Sequence, residues 1–372
     1  MPRRGSQSTQ LGVLLDARAL QGPDAQRGIG TYVRGLLRGL LDEGFDRELG
    51  LLLDSGLPAP RLPGGDYRVY GTRRRYRGRL ALYEDAVALG ADLGRIRPRL
   101  FHATTLSQPG RAPCRVVVTL HDLIPWALGG RSLRGERLRY WLGRRLLRRA
   151  ELVLAVSECT ARDARRLAGL DGDRVRVIPE GLDPAFQPRP GAAARVEERF
   201  GVSGSYFLFV GALDVRKDPR GLLRAWRAAR AAGADGRLVL AGQPGAQAPA
   251  EMPGALAVGF VGGDELADLF SAAVCLLHPS RYEGFGLTVL EAMGCGCPAV
   301  AYANSSLPEV AGDAAWLIPD GDAEALGRAA ATLLRDPERR ARLRAAGLTR
   351  AAGYSWGRTA RQTISAYETL LR

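Results

Sequence analysis

Two glutamates eight residues apart frame the stretch of this chain with the most chemistry. The segment His278-Pro-Ser-Arg-Tyr-Glu283-Gly-Phe-Gly286-Leu-Thr-Val-Leu-Glu291-Ala-Met-Gly294 sets Glu283 before a Gly-Phe-Gly turn and Glu291 after it. A helix beginning at Gly286 or Leu287 would aim its free backbone N–H groups and the positive end of its dipole at an anion, a phosphate above all. Glu291, about one turn into that helix, would reach ribose hydroxyls, and Glu283 would meet a sugar. Stripped of context, such a pair is more often a surface glutamate and a helix glutamate in an ordinary loop.

A second segment supplies cations. Tyr206-Phe-Leu-Phe-Val-Gly211-Ala-Leu-Asp-Val-Arg216-Lys217-Asp-Pro reads as a strand, a glycine turn at Gly211 and a basic pair opening a helix. Arg216 and Lys217 there suit a diphosphate, and the arginine adds fork-like contacts. Cations in that place stabilise the charge that grows on a leaving group. The bland alternative is a solvated helix start with Asp218 as partner. Against it stands the fact that Lys217 is the only lysine in the chain.

Two further constellations lie in the first half. Arg27-Gly28-Ile-Gly30-Thr31-Tyr32 follows the strand Leu11–Asp16 and carries a Gly-x-Gly that is by itself no more than a tight turn. Its wide separation from the strand departs from a dinucleotide fingerprint and argues against NAD. Thr119-Leu-His121-Asp122-Leu-Ile-Pro125 ends the strand Arg115–Leu120, so His121 would project into a cleft with Asp122 to orient it; otherwise it caps a loop. His102-Ala-Thr104 ends the neighbouring strand and would line the acceptor side.

The elements that must hold these residues alternate. Seven short apolar runs in the first half and six in the second are separated by helical patterns. Continuous apolar strands between helices point to parallel sheets covered on both faces, an α/β class. A length of 372 residues suits two domains. The alternation pauses over Asp183–Ser205, rich in Pro and Gly. The reading is a flexible tail 1–10, an N-terminal Rossmann-like domain 11–186, a linker 187–204, a C-terminal Rossmann-like domain 205–352, and a C-terminal helix 353–372 packing back on the first domain. Two such domains would put their strand C-termini against one cleft, where ligands bind.

Composition narrows the partners. No run of about 18 apolar residues exists, and the charged start lacks the apolar core of a signal peptide. Five cysteines without a CxxC pair suit a reduced, cytoplasmic protein, and three histidines are too few for a His/Cys metal site. Asp171–Asp173 and Asp320–Asp322 read Asp-Gly-Asp; this is turn chemistry, and no metal is expected there. The net charge of +14 is almost all arginine, as a GC-rich genome would give, and names no partner by itself. Seven arginines lie in 132–150, with Leu138, Trp141, Leu142 and Leu146 along one helical face. That face packs into a core, or else it lies on an anionic membrane.

Taken together, these motifs resemble the retaining GT-B glycosyltransferases of family 4. Glu-x7-Glu with Gly-Phe-Gly, then Gly294-Cys-Gly-Cys-Pro298-Ala-Val and Ser306-Leu-Pro-Glu309-Val-Ala-Gly, match the family's donor-site segment. Val156-Ser157-Glu158-Cys159-Thr160, Asp16-Ala-Arg18 and Val177-Ile-Pro-Glu180-Gly-Leu-Asp183 extend the match, although members usually carry Asn where Glu180 stands, which weakens a role for that residue. The resemblance implies a GT-B fold with two Rossmann-like domains facing across a cleft. It implies that Glu291 binds the nucleotide ribose, that Glu283 contacts the donor sugar, and that the backbone of Gly284, Phe285, Gly286, Leu287 and Thr288 holds sugar hydroxyls and diphosphate. Arg216 and Lys217 would bind phosphate after Gly211, the loop at Gly28 and Gly30 would close over it, and His121 would sit near the sugar.

The function expected is hexosyl transfer with retention and without a metal or other cofactor, in cell-surface polysaccharide or glycoconjugate synthesis. The Gly-Ile-Gly-x-Tyr and His-Asp-Leu-Ile-Pro variants resemble the mannosyltransferase branch, which makes GDP-mannose the first donor and a UDP-sugar the second. The acceptor is a saccharide or a lipid-linked saccharide, with peripheral contact through 132–150 at the inner face of the cell membrane. The alternatives are a two-Rossmann sugar-nucleotide epimerase, which needs no acceptor, and a basic nucleic-acid or membrane binding protein. The sequence holds no nucleic-acid motif.

Overall fold

The computed structural model describes residues 11–73, 81–243 and 252–372. The proposed tail 1–10 lies outside them.

Every apolar run of the first half becomes a parallel strand; those in the middle of the sheet are buried on both sides and their alternate side chains serve two different cores, while the edge strand Arg68–Gly71 is largely exposed. The strands are β1 (Val13–Asp16), β2 (Leu49–Leu53), β3 (Arg68–Gly71), β4 (Leu100–Ala103), β5 (Arg115–Leu120), β6 (Leu152–Ala155) and β7 (Val175–Val177). They form one sheet in the order β3-β2-β1-β4-β5-β6-β7. Val13, Leu15, Leu49, Leu51 and Val117 face the helices Gly28–Asp42 and Trp356–Leu371. Leu14, Leu52, Phe101, Val118 and Val153 face Leu89, Leu93 and Ala161 on the other side.

The second half repeats the plan. Strands β8 (Tyr206–Val210), β9 (Arg237–Ala241), β10 (Ala255–Gly259), β11 (Cys275–His278), β12 (Ala299–Tyr302) and β13 (Trp316–Ile318) form a parallel sheet ordered β10-β9-β8-β11-β12-β13. Phe207, Phe209, Leu277 and Val300 pack on Leu222 and Trp226 of helix Pro219–Ala231 and on Leu326 and Leu333 of helix Ala323–Arg335.

The chain divides into two units. The first holds the described residues up to Val156, with Thr160–Gly181 and Trp356–Arg372; the second holds Ser157–Cys159 and Leu182–Ser355. The segment 187–204 is therefore part of the second unit, where its helix Ala192–Phe200 packs on helix Gly263–Ala272. Arg189 and Arg195 both bind Asp268 there, at 2.8 and 2.6 Å, which anchors a stretch whose prolines and glycines read as a linker.

The helix Trp356–Leu371 belongs to the first unit and lies against Gly28–Asp42. Gly35 makes that approach possible, since a Cβ there would fall 2.0 Å from Cε2 of Trp356. His102 is fully buried under the same helix, its Nδ1 2.5 Å from Tyr367 Oη and its Nε2 2.8 Å from Thr119 Oγ1. The expectation that it lines the acceptor side fails because both ring nitrogens are spent inside the core. Burial lowers its pKa to about 3, with His121 adding to the shift.

Both sheets reverse their winding once, between β1 and β4 and between β8 and β11. Ligands of doubly wound folds bind outside the strand C-termini at such points.

Candidate active site

The loops that leave β8 and β11 flank the switch point of the second unit, and they carry the residues singled out in the sequence. After β8 the chain passes Gly211 (φ 140°) and turns at Asp214, whose Oδ1 accepts from the amides of Arg216 and Lys217 at 3.0 and 3.1 Å. Asp218 then caps helix Pro219–Ala231 by accepting from the amide of Gly221. It serves the helix and leaves the two cations to another acid. Lys217 runs back under the loop with 4% of its surface exposed.

That acid is Glu283. Lys217 Nζ donates to Oε1 at 2.7 Å and Arg216 Nη1 to Oε2 at 2.8 Å, while Ser280 Oγ donates to Oε1 at 2.7 Å. The ring of His278 lies 3.2 Å from Oε1, off hydrogen-bond alignment. Burial opposes ionisation of Glu283, but Lys217 and Arg216 outweigh it and hold the carboxyl well below its usual range. Burial draws Lys217 below the usual ammonium range against the pull of Glu283. Burial also takes His278 down to about 4, helped by the charge of Lys217, so the ring is neutral near pH 7.

Beyond Glu283 the chain is clamped from the next loop. Ser305 Oγ accepts from the amide of Glu283 at 2.9 Å, and Ser306 Oγ donates to the carbonyls of Glu283 and Phe285 at 3.0 and 2.7 Å. Gly284 takes a hydrogen bond from Ser157 Oγ on its carbonyl at 2.6 Å. Gly286 has φ 104° and leads into helix Leu287–Gly294, where a Cβ would meet Leu307 at 2.9 Å. Only glycine combines that backbone with that space. Leu287 and Thr288 form the first turn, and Glu291 sits in the second turn, partly exposed. The structure thus joins Arg216, Lys217 and Glu283 in one network, with Gly211 beside the Lys217 stem, and places the helix that carries Glu291 directly after it.

In the first unit His121 follows β5, with Nδ1 3.1 Å from Glu180 Oε1 and Nε2 3.2 Å from the carbonyl of Thr104. The carboxylate seen bonded to the ring is thus Glu180, while Oδ1 of Asp122 accepts from the amide of Ile124. Tyr32 meets the ring edge-on at 4.8 Å between centroids. Gly28 and Gly30 lie in the first turn of helix Gly28–Asp42, so the expected glycine loop is a helix N-terminus. Arg18 is tied down by Asp16 at 2.7 Å and Asp85 at 2.9 Å.

Among the described residues no group of three or more His, Cys, Asp or Glu is placed to hold a metal ion. Asp322 caps helix Ala323–Arg335, and Asp171 precedes a short 3₁₀ turn. Helix Arg134–Leu146 buries Gly143 and Leu146, but leaves Leu138 and Trp141 exposed at 73% and 43%. Those two do not share the packed face with Leu146. No helix among the described residues is long and apolar enough to cross a membrane.

A family model for glycosyl transferases group 1 matches residues 193–350, and one for glycosyltransferase family 4 matches residues 26–186. The O-antigen chain mannosyltransferase B of Escherichia coli is 30% identical over 289 residues, which cover 73% of this chain and 74% of that protein. The chain belongs to glycosyltransferase family 4. A D-inositol 3-phosphate glycosyltransferase of Kineococcus radiotolerans is 34% identical over 254 residues, 59% of this chain and 57% of that one. Sucrose-phosphate synthase of Thermosynechococcus elongatus, 24% identical, superposes with a TM-score of 0.79 over 96% of this chain and 98% of its own, so this glycosyltransferase has the GT-B fold.

Sequence reading of this family 4 chain missed the supports of its charged residues. Asp214, Ser280 and Ser305 are small polar residues in loops, and nothing in their spacing says that they meet Arg216, Lys217 and Glu283. Glu180 carries one signal in the sequence, an acid where the family usually has an amide.

Proposed function

We propose that this glycosyltransferase moves a hexose from a nucleoside diphosphate sugar to a hydroxyl of a saccharide or lipid-linked saccharide, with retention of configuration. The observation that carries the reading is the network of the buried Glu283 and Lys217 with the partly exposed Arg216 at the switch point of the second unit, ahead of the helix Leu287–Gly294. Two cations beside a helix N-terminus suit a diphosphate. The sugar's hydroxyls meet Glu283 and the backbone from Gly284 to Thr288, and Glu291 takes the ribose. In the reaction the bond between the anomeric carbon and the diphosphate oxygen breaks. The acceptor oxygen bonds to that carbon on the same face, and the acceptor's proton passes to the departing diphosphate. Arg216 and Lys217 stabilise its charge, so the proposal needs no metal.

GDP-mannose is the first donor on this reading, supported by likeness to a protein named as a mannosyltransferase. The exposed Leu138 and Trp141, set among the arginines of 132–150, support peripheral contact with an anionic membrane. A thermal-shift screen of GDP-, UDP- and dTDP-sugars tests the donor class, with GDP-mannose giving the largest rise in Tm. Product analysis with and without a saccharide acceptor then separates transfer from epimerisation, and the anomer formed reads retention. If no sugar nucleotide moves the Tm, the donor reading falls.

A further inference from the structure

Glu180 is 4% exposed, and its Oε2 has no hydrogen-bond partner among the described residues. Among the described residues its Oε1 meets the His121 ring, at 3.1 Å from Nδ1. We infer that Glu180 is a positioning residue that fixes the His121 ring and keeps a proton on both of its nitrogens; this deepens the transferase reading above and rests on it.

The case is one of hydrogen-bond supply. Nδ1 faces Glu180 Oε1 and Nε2 faces the carbonyl oxygen of Thr104; the carbonyl cannot donate, and neither can Glu180 in its ionised form. A neutral imidazole has one N–H, so one ring lone pair would point at an oxygen lone pair. With two protons both contacts become hydrogen bonds, and the one to Glu180 is charge-assisted. The carboxylate needs the same outcome. A buried anion with one partner is costly unless that partner carries the opposite charge.

The other groups packed around the ring do not compete. Tyr32 from helix Gly28–Asp42 is a phenol held neutral by burial, and its hydroxyl is bonded to Thr119 Oγ1. His102 on β4 is neutral. Asp122 accepts from the amide of Ile124, and Thr160 Oγ1 donates to the backbone carbonyl of His121. Among the described residues, the acid seen hydrogen-bonded to the ring is Glu180. The ring is 15% exposed, so it offers a fixed cation at the C-terminal edge of the first sheet. Such a cation stabilises negative charge that develops on a reacting ligand.

The test uses the full chain. The three histidines make side-chain nitrogen NMR assignable by substitution. With no substrate present, both His121 nitrogens should show protonated shifts at pH 7, and in Glu180→Gln one of them should lose its proton at that pH. In the transfer assay, E180Q should lower kcat about 10–100-fold, the scale of an outer-shell carboxylate behind a functional histidine. The affinity for GDP or UDP should stay unchanged. His121→Gln should be as slow as the double variant, because both act through one group. A singly protonated His121 ring in the wild type at pH 7 overturns the inference, as do rate losses that multiply in the double variant. The NMR arm needs no turnover, so it separates failure of this inference from failure of the transferase reading.

Discussion

Replacing Lys217 by methionine separates the two jobs that its geometry suggests. The side chain is almost wholly buried, and its Nζ is 2.7 Å from Glu283 Oε1. Removing one partner of a buried ion pair costs about 3–5 kcal/mol, because the other charge is left uncompensated. Glu283 would keep Arg216 at 2.8 Å and the hydroxyl of Ser280 at 2.7 Å, which places the loss near the lower end, about 3 kcal/mol. Methionine matches the lysine stem, so packing changes little. The double variant K217M/E283Q removes both charges, and it should recover stability to within about 1 kcal/mol of the wild type. Transfer should behave otherwise. If Lys217 stabilises the leaving diphosphate as proposed, its loss costs about 10²–10³ in kcat, and the double variant should not regain it. Urea unfolding followed by fluorescence and circular dichroism together reads stability, with coincident probes as the check on a two-state treatment. Initial-rate kinetics reads transfer. A single variant as stable as the wild type, or a double variant less stable than the single, would refute the coupled-pair reasoning.

Three other outcomes follow from the packing and charges. His278 and His102 are buried neutral, with pKa values taken down to about 4 and about 3 chiefly by burial, so each stabilises the fold fully above its unfolded pKa near 6.5. Stability should fall as pH drops from about 6.5 to 4, by about 3 kcal/mol from His278 alone; a flat profile from pH 7 to 5 by urea titration would count against this. Gly35→Ala gains helix propensity of about 1 kcal/mol but drives a methyl into Trp356, and overpacking of 1–3 kcal/mol or more should win. Faster hydrogen exchange in helix Trp356–Leu371 checks it, and unchanged exchange contradicts it. Leu138→Ser with Trp141→Ser should reduce flotation with phosphatidylglycerol vesicles several-fold while leaving the thermal shift by sugar nucleotides intact. Equal flotation of the variant and the wild type would remove this helix from the membrane.

The sequence by itself determined much of this protein. Runs such as Tyr206–Val210 and Arg115–Leu120 are too apolar and too short for anything but strands buried on both faces, so the α/β class and the order of elements were legible. Glycine at 286 marked a backbone that other residues resist, and it located the start of helix Leu287–Gly294. Local patterns carry these features because backbone preference and periodicity act over a few residues.

What tertiary structure alone decided is who meets whom. Glu283 lies 66 residues from Lys217 and Glu180 lies 59 from His121, and no local rule couples such positions. The fold joins them because β8 and β11 are neighbours at a switch point, and because β5 and the loop after β7 end at the same sheet edge. The same holds for helix Arg134–Leu146. Its spacing showed an apolar stripe, but whether Leu138 and Trp141 are covered depends on the surface that packs beside them. Proline and glycine in 187–204 read as a linker, yet Asp268 binds two of its arginines and makes it part of the second unit. Charge pairing and burial are settled by distances in space, and sequence spacing does not encode them.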